Sequence, residues 1–110
     1  MTLNTHTYMY GSIPATAAAW TRHLVETLAG VEAARTAQLA TINPDPDDLV
    51  ARAYRDAVIR ILAEVRTARR MLEEGRYGLC VGCHRRIDDE RLEHRPWATQ
   101  CPDCARRVYQ

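Results

Sequence analysis

The sequence predicts a mainly α-helical chain: an antiparallel two-helix coiled-coil hairpin joined to a small C-terminal module built on four cysteines. Three observations carry this. Two long helix-compatible runs flank a Pro-rich turn, "NPDP" at 43–46. The second run keeps apolar residues at alternating spacings of three and four. All four cysteines fall within residues 80–104, in two pairs of identical spacing.

Residues 1–11 show no period and read as a flexible N-terminal arm. Ser12 is the expected N-cap of the first helix, with Pro14 in its first turn. Alanine-rich sequence then runs to Ile42, with only Gly30 against it. The second helix is expected over 46–75, ending at Gly75. The hairpin thus occupies 12–75, its tip lies at 43–48, and a globular module fills 76–110.

Each helix would be about 30 residues long, a rod of about 45 Å. The second carries the seam Ala51, Tyr54, Val58, Ile61, Val65, Ala68 and Leu72. Folding the chain about the turn pairs Leu24 with Val65, Leu28 with Ile61, Val31 with Val58 and Leu39 with Val50. Trp20 falls beside Ala68, and Arg35 falls opposite Tyr54, where a guanidinium can lie on the ring. The competing arrangement is a small bundle or homodimer that buries the remaining apolar positions, Ile59, Leu62 and Met71.

The cysteine spacing is C-x2-C-x17-C-x2-C, a zinc-site pattern. Two intervening residues let both sulfurs of a knuckle reach one ion, and two knuckles complete a tetrahedron. Cys80, Cys83, Cys101 and Cys104 are therefore the expected ligands of one structural Zn²⁺. Gly82 and Pro102 suit the tight knuckle turns. Four thiolates leave no open coordination position, so the site folds the module and does not activate water. His84 and His94 read as surface residues.

Tyr77, Leu79, Ile87, Leu92 and Trp97 make a small cluster, and 88–95 reads as a two-turn helix capped by Asp88 and ended before Pro96. Metal binding would supply most of the folding energy, about 10–16 kcal/mol for comparable finger peptides. A redox CxxC is disfavoured because no βαβ pattern surrounds it.

The remaining numbers exclude several classes. The 110 residues carry a net charge of +1, with 46% hydrophobic and 26% charged residues, and every basic residue is Arg. Within 76–110, seven Arg face five acids, and four thiolates with one Zn²⁺ cancel the excess. Sequence-specific DNA binding is not expected, although Arg85/Arg86 and Arg106/Arg107 form local pairs. No apolar stretch approaches the ~20 residues of a membrane span. "MTLNTHTYMYGS" lacks the basic and apolar regions of a signal peptide. A cytoplasmic, non-enzymatic protein is expected: no catalytic constellation or phosphate-binding glycine loop stands out.

At the tip, "NPDPDD" has two readings. In one, Asp45 is the N-cap, Pro46 the first helical residue, and Asp47 and Asp48 meet the helix dipole. In the other, these acids are a working end held out on a rod, facing Mg²⁺ or an Arg/Lys-lined site on a partner.

"MLEEGRYGLCVGCHRRIDDERLEHRPWATQCPDC", residues 71–104, closely resembles the DksA/TraR zinc-finger family. The shared features are Glu-Gly-x-Tyr-Gly before Cys80, then Ile87, Arg91-Leu92, Pro96 and the last cysteine pair. "DPDDLV" at 45–50 resembles the acidic tip motif Asp-x-x-Asp-x-Ala.

The resemblance implies a transcriptional regulator that binds bacterial RNA polymerase, core or holoenzyme. Its coiled coil would enter the secondary channel and modulate open-complex stability, with ppGpp as a partner at the complex. By position, Asp45 and Asp48 would be the tip aspartates at the polymerase active centre, supported by Asp47 and Val50. This chain departs from the family in three ways: Val50 replaces Ala, the hairpin is shorter than in longer members, and six residues follow Cys104. The alternative function is a zinc-ribbon nucleic-acid-binding or adaptor protein with a helical dimerisation arm.

Overall fold

The computed structural model describes residues 17–108. The expected arm at 1–11, the Ser12 cap and Pro14 lie outside them. Four helices follow in order: α1 Ala17–Ala40, α2 Leu49–Glu73, α3 Asp89–His94 and α4 Pro102–Val108. Among the described residues there is no strand, only an isolated antiparallel bridge between Leu79 and Arg86.

The two long helices form the hairpin. Over the described residues they run for 24 and 25 residues, about 37 Å each, and α2 is shorter than the expected 46–75. Their seam buries Leu24 and Leu28 of α1 against Val58, Leu62, Val65, Ala68 and Met71 of α2. Leu62 and Met71 are thus core residues of one chain and need no second copy to cover them. Ile59 remains 45% exposed.

The register also differs from a simple mirror about the turn. That mirror sets Glu32 opposite Ala57, but Glu32 instead accepts from Arg66 Nε at 3.1 Å and from Arg69 Nη1. Part of the offset is direction. Helical side chains lean toward their own N-terminus, so on antiparallel helices Glu32 and Arg66 lean toward each other.

At the tip end, Ile42 packs with Val58, Leu62, Leu39 and Ala51. Val50 is 81% exposed and Tyr54 47% exposed, so Val50 does not cover Leu39 and Tyr54 leaves the seam. Arg35 donates to Gln38 Oε1 at 2.7 Å, and Gln38 Nε2 donates to the Tyr54 hydroxyl. An amide bridge stands where a guanidinium–ring stack was expected.

α2 ends in a Schellman turn. Gly75 takes φ +74°, its N–H bonds Leu72 O at 3.2 Å, and Arg76 N–H bonds Met71 O at 2.8 Å. This pair of bonds satisfies two of the last carbonyls of the helix, as expected for Gly75. The chain enters the cysteine module directly after it.

Candidate metal centre and hairpin tip

The first knuckle grows from the Leu79–Arg86 bridge. Cys80 N–H bonds Arg85 O at 2.8 Å, and Ile87 N–H bonds Gly78 O at 2.7 Å. The reversal between them closes with His84 N–H on Cys80 O at 2.9 Å. His84 closes that turn at φ +64°, a left-handed conformation that non-glycine residues rarely adopt. The second knuckle leads into α4, with Pro102 at its first position, a preferred place for proline. No helix was expected here. Val81 N–H to Thr99 O at 2.8 Å ties the knuckles together, and Arg91 Nε donates to Gln100 O at 3.0 Å, anchoring α3 to the second.

α3 lies where expected, over Asp89–His94 with Asp88 at the N-cap, although the Asp88 side chain makes no cap hydrogen bond. Ile87 is fully buried and packs with Cys80, Cys104 and Leu92. The Tyr77 hydroxyl donates to Pro96 O at 2.8 Å. Both histidines are exposed, and His94 Nδ1 lies 2.9 Å from Glu90 O.

All four sulfurs converge. The Sγ atoms of Cys80, Cys83, Cys101 and Cys104 lie within 4.8 Å of one another, and Cys83 and Cys101 are 3.8 Å apart. Four Zn–S bonds of about 2.3 Å in a tetrahedron set the sulfurs about 3.8 Å apart. Each knuckle turns one backbone N–H onto sulfur: Gly82 to Cys80 at 3.3 Å and Cys104 to Cys101 at 3.5 Å.

The electrostatics agree with a cation site. Burial opposes ionisation of Cys80, but backbone N–H groups of Cys101, Cys83 and Gly82 outweigh it and hold the thiol down to about 6. Cys104 is pushed up to about 12 by the sulfurs of Cys101 and Cys80. Four thiolates this close cannot all carry charge alone, and a divalent ion removes the conflict. The donor set fits one structural zinc. A Cβ on Gly82 would lie 3.0 Å from Cys104 Sγ, so the centre leaves little room for a side chain there.

The tip is built differently from the sequence expectation. Asp48, not Asp45, caps α2: its Oδ1 accepts from Ala51 N at 3.0 Å. Its Oδ2 accepts from Asn43 Nδ2 at 3.1 Å. These two bonds hold the Asp48 carboxyl below its ordinary value. Asp45 belongs to a run of side-chain turns before the helix, taking Asp47 N–H on its Oδ1 at 2.9 Å while its own N–H bonds Asn43 Oδ1 at 3.1 Å. Pro46 therefore precedes the helix.

Asp45 and Asp47 are exposed, Asp48 is half-buried, and Leu49 and Val50 stand out at 71% and 81% exposure. The role of Asn43 was missed, although Asn before Pro is a turn signal.

Residues 75–110 match the prokaryotic dksA/traR C4-type zinc finger family. No curated protein matches the chain in sequence. Among solved structures, the fold is similar to that of the transcription factor DksA2 from Pseudomonas aeruginosa. The TM-score is 0.54 at 18% identity, covering 96% of each chain.

Proposed function

Because the module at 75–110 belongs to the DksA/TraR family of C4-type zinc fingers and the whole chain takes a DksA-like fold, we propose that this protein is a transcription factor acting by direct binding to bacterial RNA polymerase. The hairpin tip enters the secondary channel and changes the stability of the open complex, and the finger docks outside it. ppGpp is a candidate partner at that complex.

One observation carries the reading. A rod of two helices, each about 37 Å long, has the four-sulfur centre beyond the C-terminal end of α2 and an exposed acidic turn at the other end. The metal centre has no open position for chemistry. That leaves the tip as the working end.

The tip geometry supports a division of labour between the acids. Asp45 presents a carboxylate on the exposed turn and is the group proposed to act near the polymerase active centre. Both oxygens of Asp48 are engaged by Ala51 and Asn43, so its role is to position the turn. Asp47 and Val50 flank these two on the same tip. The nucleic-acid reading gains nothing: Arg86 pairs with Asp89 at 3.5 Å and Arg106 pairs with Asp103, which halves the candidate basic patch.

The deciding measurement is open-complex lifetime on the cognate polymerase. Zinc-loaded wild type should shorten it, and Asp45→Asn should lose the effect while still binding the polymerase. Absence of any association with core polymerase or holoenzyme would overturn the proposal. Salt-sensitive binding to free DNA or RNA would instead favour a nucleic-acid ribbon.

A further inference from the structure

We infer that one exposed side of α2 is a second docking surface, an arginine row that lies against an acidic, partly apolar protein wall. The inference rests on the polymerase reading and deepens it: the wall is that of the channel that takes up the rod. α2 carries six Arg against three acids. Arg52, Arg55, Ile59, Ala63, Arg66 and Arg70 follow one another at spacings of three and four, so they share one face of the helix. No acid stands in that row.

The face is open. Arg52, Ala63 and Arg70 are exposed and Arg55 is half-buried. Ile59 is 45% exposed, although its neighbours Val58 and Leu62 are core residues. Among the described residues, Arg52, Arg55 and Arg70 have no ion-pair partner. Arg66 donates from Nε to Glu32 of α1 at 3.1 Å, yet its side chain stays 60% exposed. The acids of α2 do not neutralise the row. Glu64 faces Arg95 and Arg91 of the finger. Asp56 stands beside the row near the tip, and Glu73 closes it at the finger end.

Charge and shape select the partner. From Arg52 to Arg70 the row is about 27 Å long. A DNA duplex presents about one charge per 1.7 Å, about 16 over that length. Four guanidiniums, one of them already on Glu32, are sparse against such a backbone, and Ile59 and Ala63 offer phosphates nothing. A protein surface suits the row better. Arg is enriched at protein interfaces, where an apolar centre is ringed by polar groups. Here Ile59 and Ala63 form the centre, with Arg55 and Arg66 on either side and Arg52 and Arg70 beyond them. Each guanidinium fork can take a carboxylate with two parallel hydrogen bonds. The wall therefore presents Asp and Glu side chains, with an aliphatic patch facing Ile59. Attraction along the row draws the rod inward and fixes its rotation, so that the tip arrives in one orientation.

Equilibrium binding of the zinc-loaded full chain to the cognate core polymerase tests this. Arg55→Gln/Arg70→Gln should weaken binding about tenfold and flatten its salt dependence, with Tm unchanged. Arg60→Gln removes an exposed charge outside the row and should bind as wild type does. A photo-crosslinker at Ile59 (Ile59→p-benzoylphenylalanine) should capture polymerase peptides rich in Asp and Glu. If wild type binds and the double variant binds equally well, this inference is overturned and the polymerase reading stands. If wild type does not bind at all, both fall. Comparable binding to a free 20-nucleotide RNA, lost in the double variant, would also overturn it by making a phosphate backbone the partner.

Discussion

Asn43 donates from Nδ2 to Asp48 Oδ2 at 3.1 Å, so the residue that opens the tip turn holds the second oxygen of the carboxylate that caps α2. Asp48→Ala removes both bonds and should unwind the first turn of α2, seen as lost helicity and a lower Tm. Asp48→Asn should be milder, because Asn still caps through its carbonyl oxygen but its amide cannot accept from Asn43. The folded-state pKa of Asp48 lies below its ordinary value. Its contribution is therefore complete above the unfolded pKa and is lost as pH falls through the folded one. Asp48→Asn should flatten this acid limb in thermal melts.

Two glycines should respond in opposite directions. Gly30 sits inside α1, and a Cβ added there would meet nothing within 4 Å. Gly30→Ala should therefore stabilise the hairpin by about 0.5–1 kcal/mol. Gly75 holds φ +74°, and Gly75→Ala should destabilise by about 1–2 kcal/mol. Denaturant unfolding of the zinc-loaded protein measures both.

The first knuckle offers a similar contrast. Gly82→Ala would put a Cβ 3.0 Å from Cys104 Sγ and 3.3 Å from its Cβ, forcing the knuckles apart. Zinc affinity should fall by about tenfold, about 1.4 kcal/mol. His84→Gly relieves the φ +64° strain and should stabilise the finger by about 1 kcal/mol. Competition against a chromophoric chelator reads the first, and the melting temperature reads the second.

Glu64 links rod to head. Burial raises its pKa, opposed by Arg95 and Arg91 of the finger. With the folded value above the unfolded one, its stabilising contribution is full below the unfolded pKa and is lost as pH rises through the folded pKa. Glu64→Gln should therefore raise Tm near pH 7. That advantage should shrink toward about pH 5, tracked as the difference between variant and wild type.

Much of this was legible from short-range rules. The cysteine spacing identified the four sulfurs that converge, and Gly75 announced its own turn. The hairpin followed from two periodic runs around "NPDP". What escaped depended on where side chains reach. The mirror register failed at Glu32 because leaning side chains meet further along the partner helix, and Arg35 and Tyr54 are joined through Gln38, a residue outside the apolar pattern. Asp45 and Asp48 both fit a cap by type. The choice fell to Asp48 because Asn43 and Asp45 use their side chains in turns before the helix starts. α4 was overlooked because seven residues are too few for a period, although Pro102 with Asp103 in the first turn and Arg106 and Arg107 in the last turn marks both ends.

The Schellman turn at Gly75 sets the module at the end of a long lever arm. Because Arg76 N–H is bonded back to Met71, no slack chain separates α2 from the finger. A rotation of only about 10° at this point swings the far end of α2, about 37 Å away, through about 6 Å. Small changes in packing at the base are thereby geared up into displacements at Asp45 wider than a side chain.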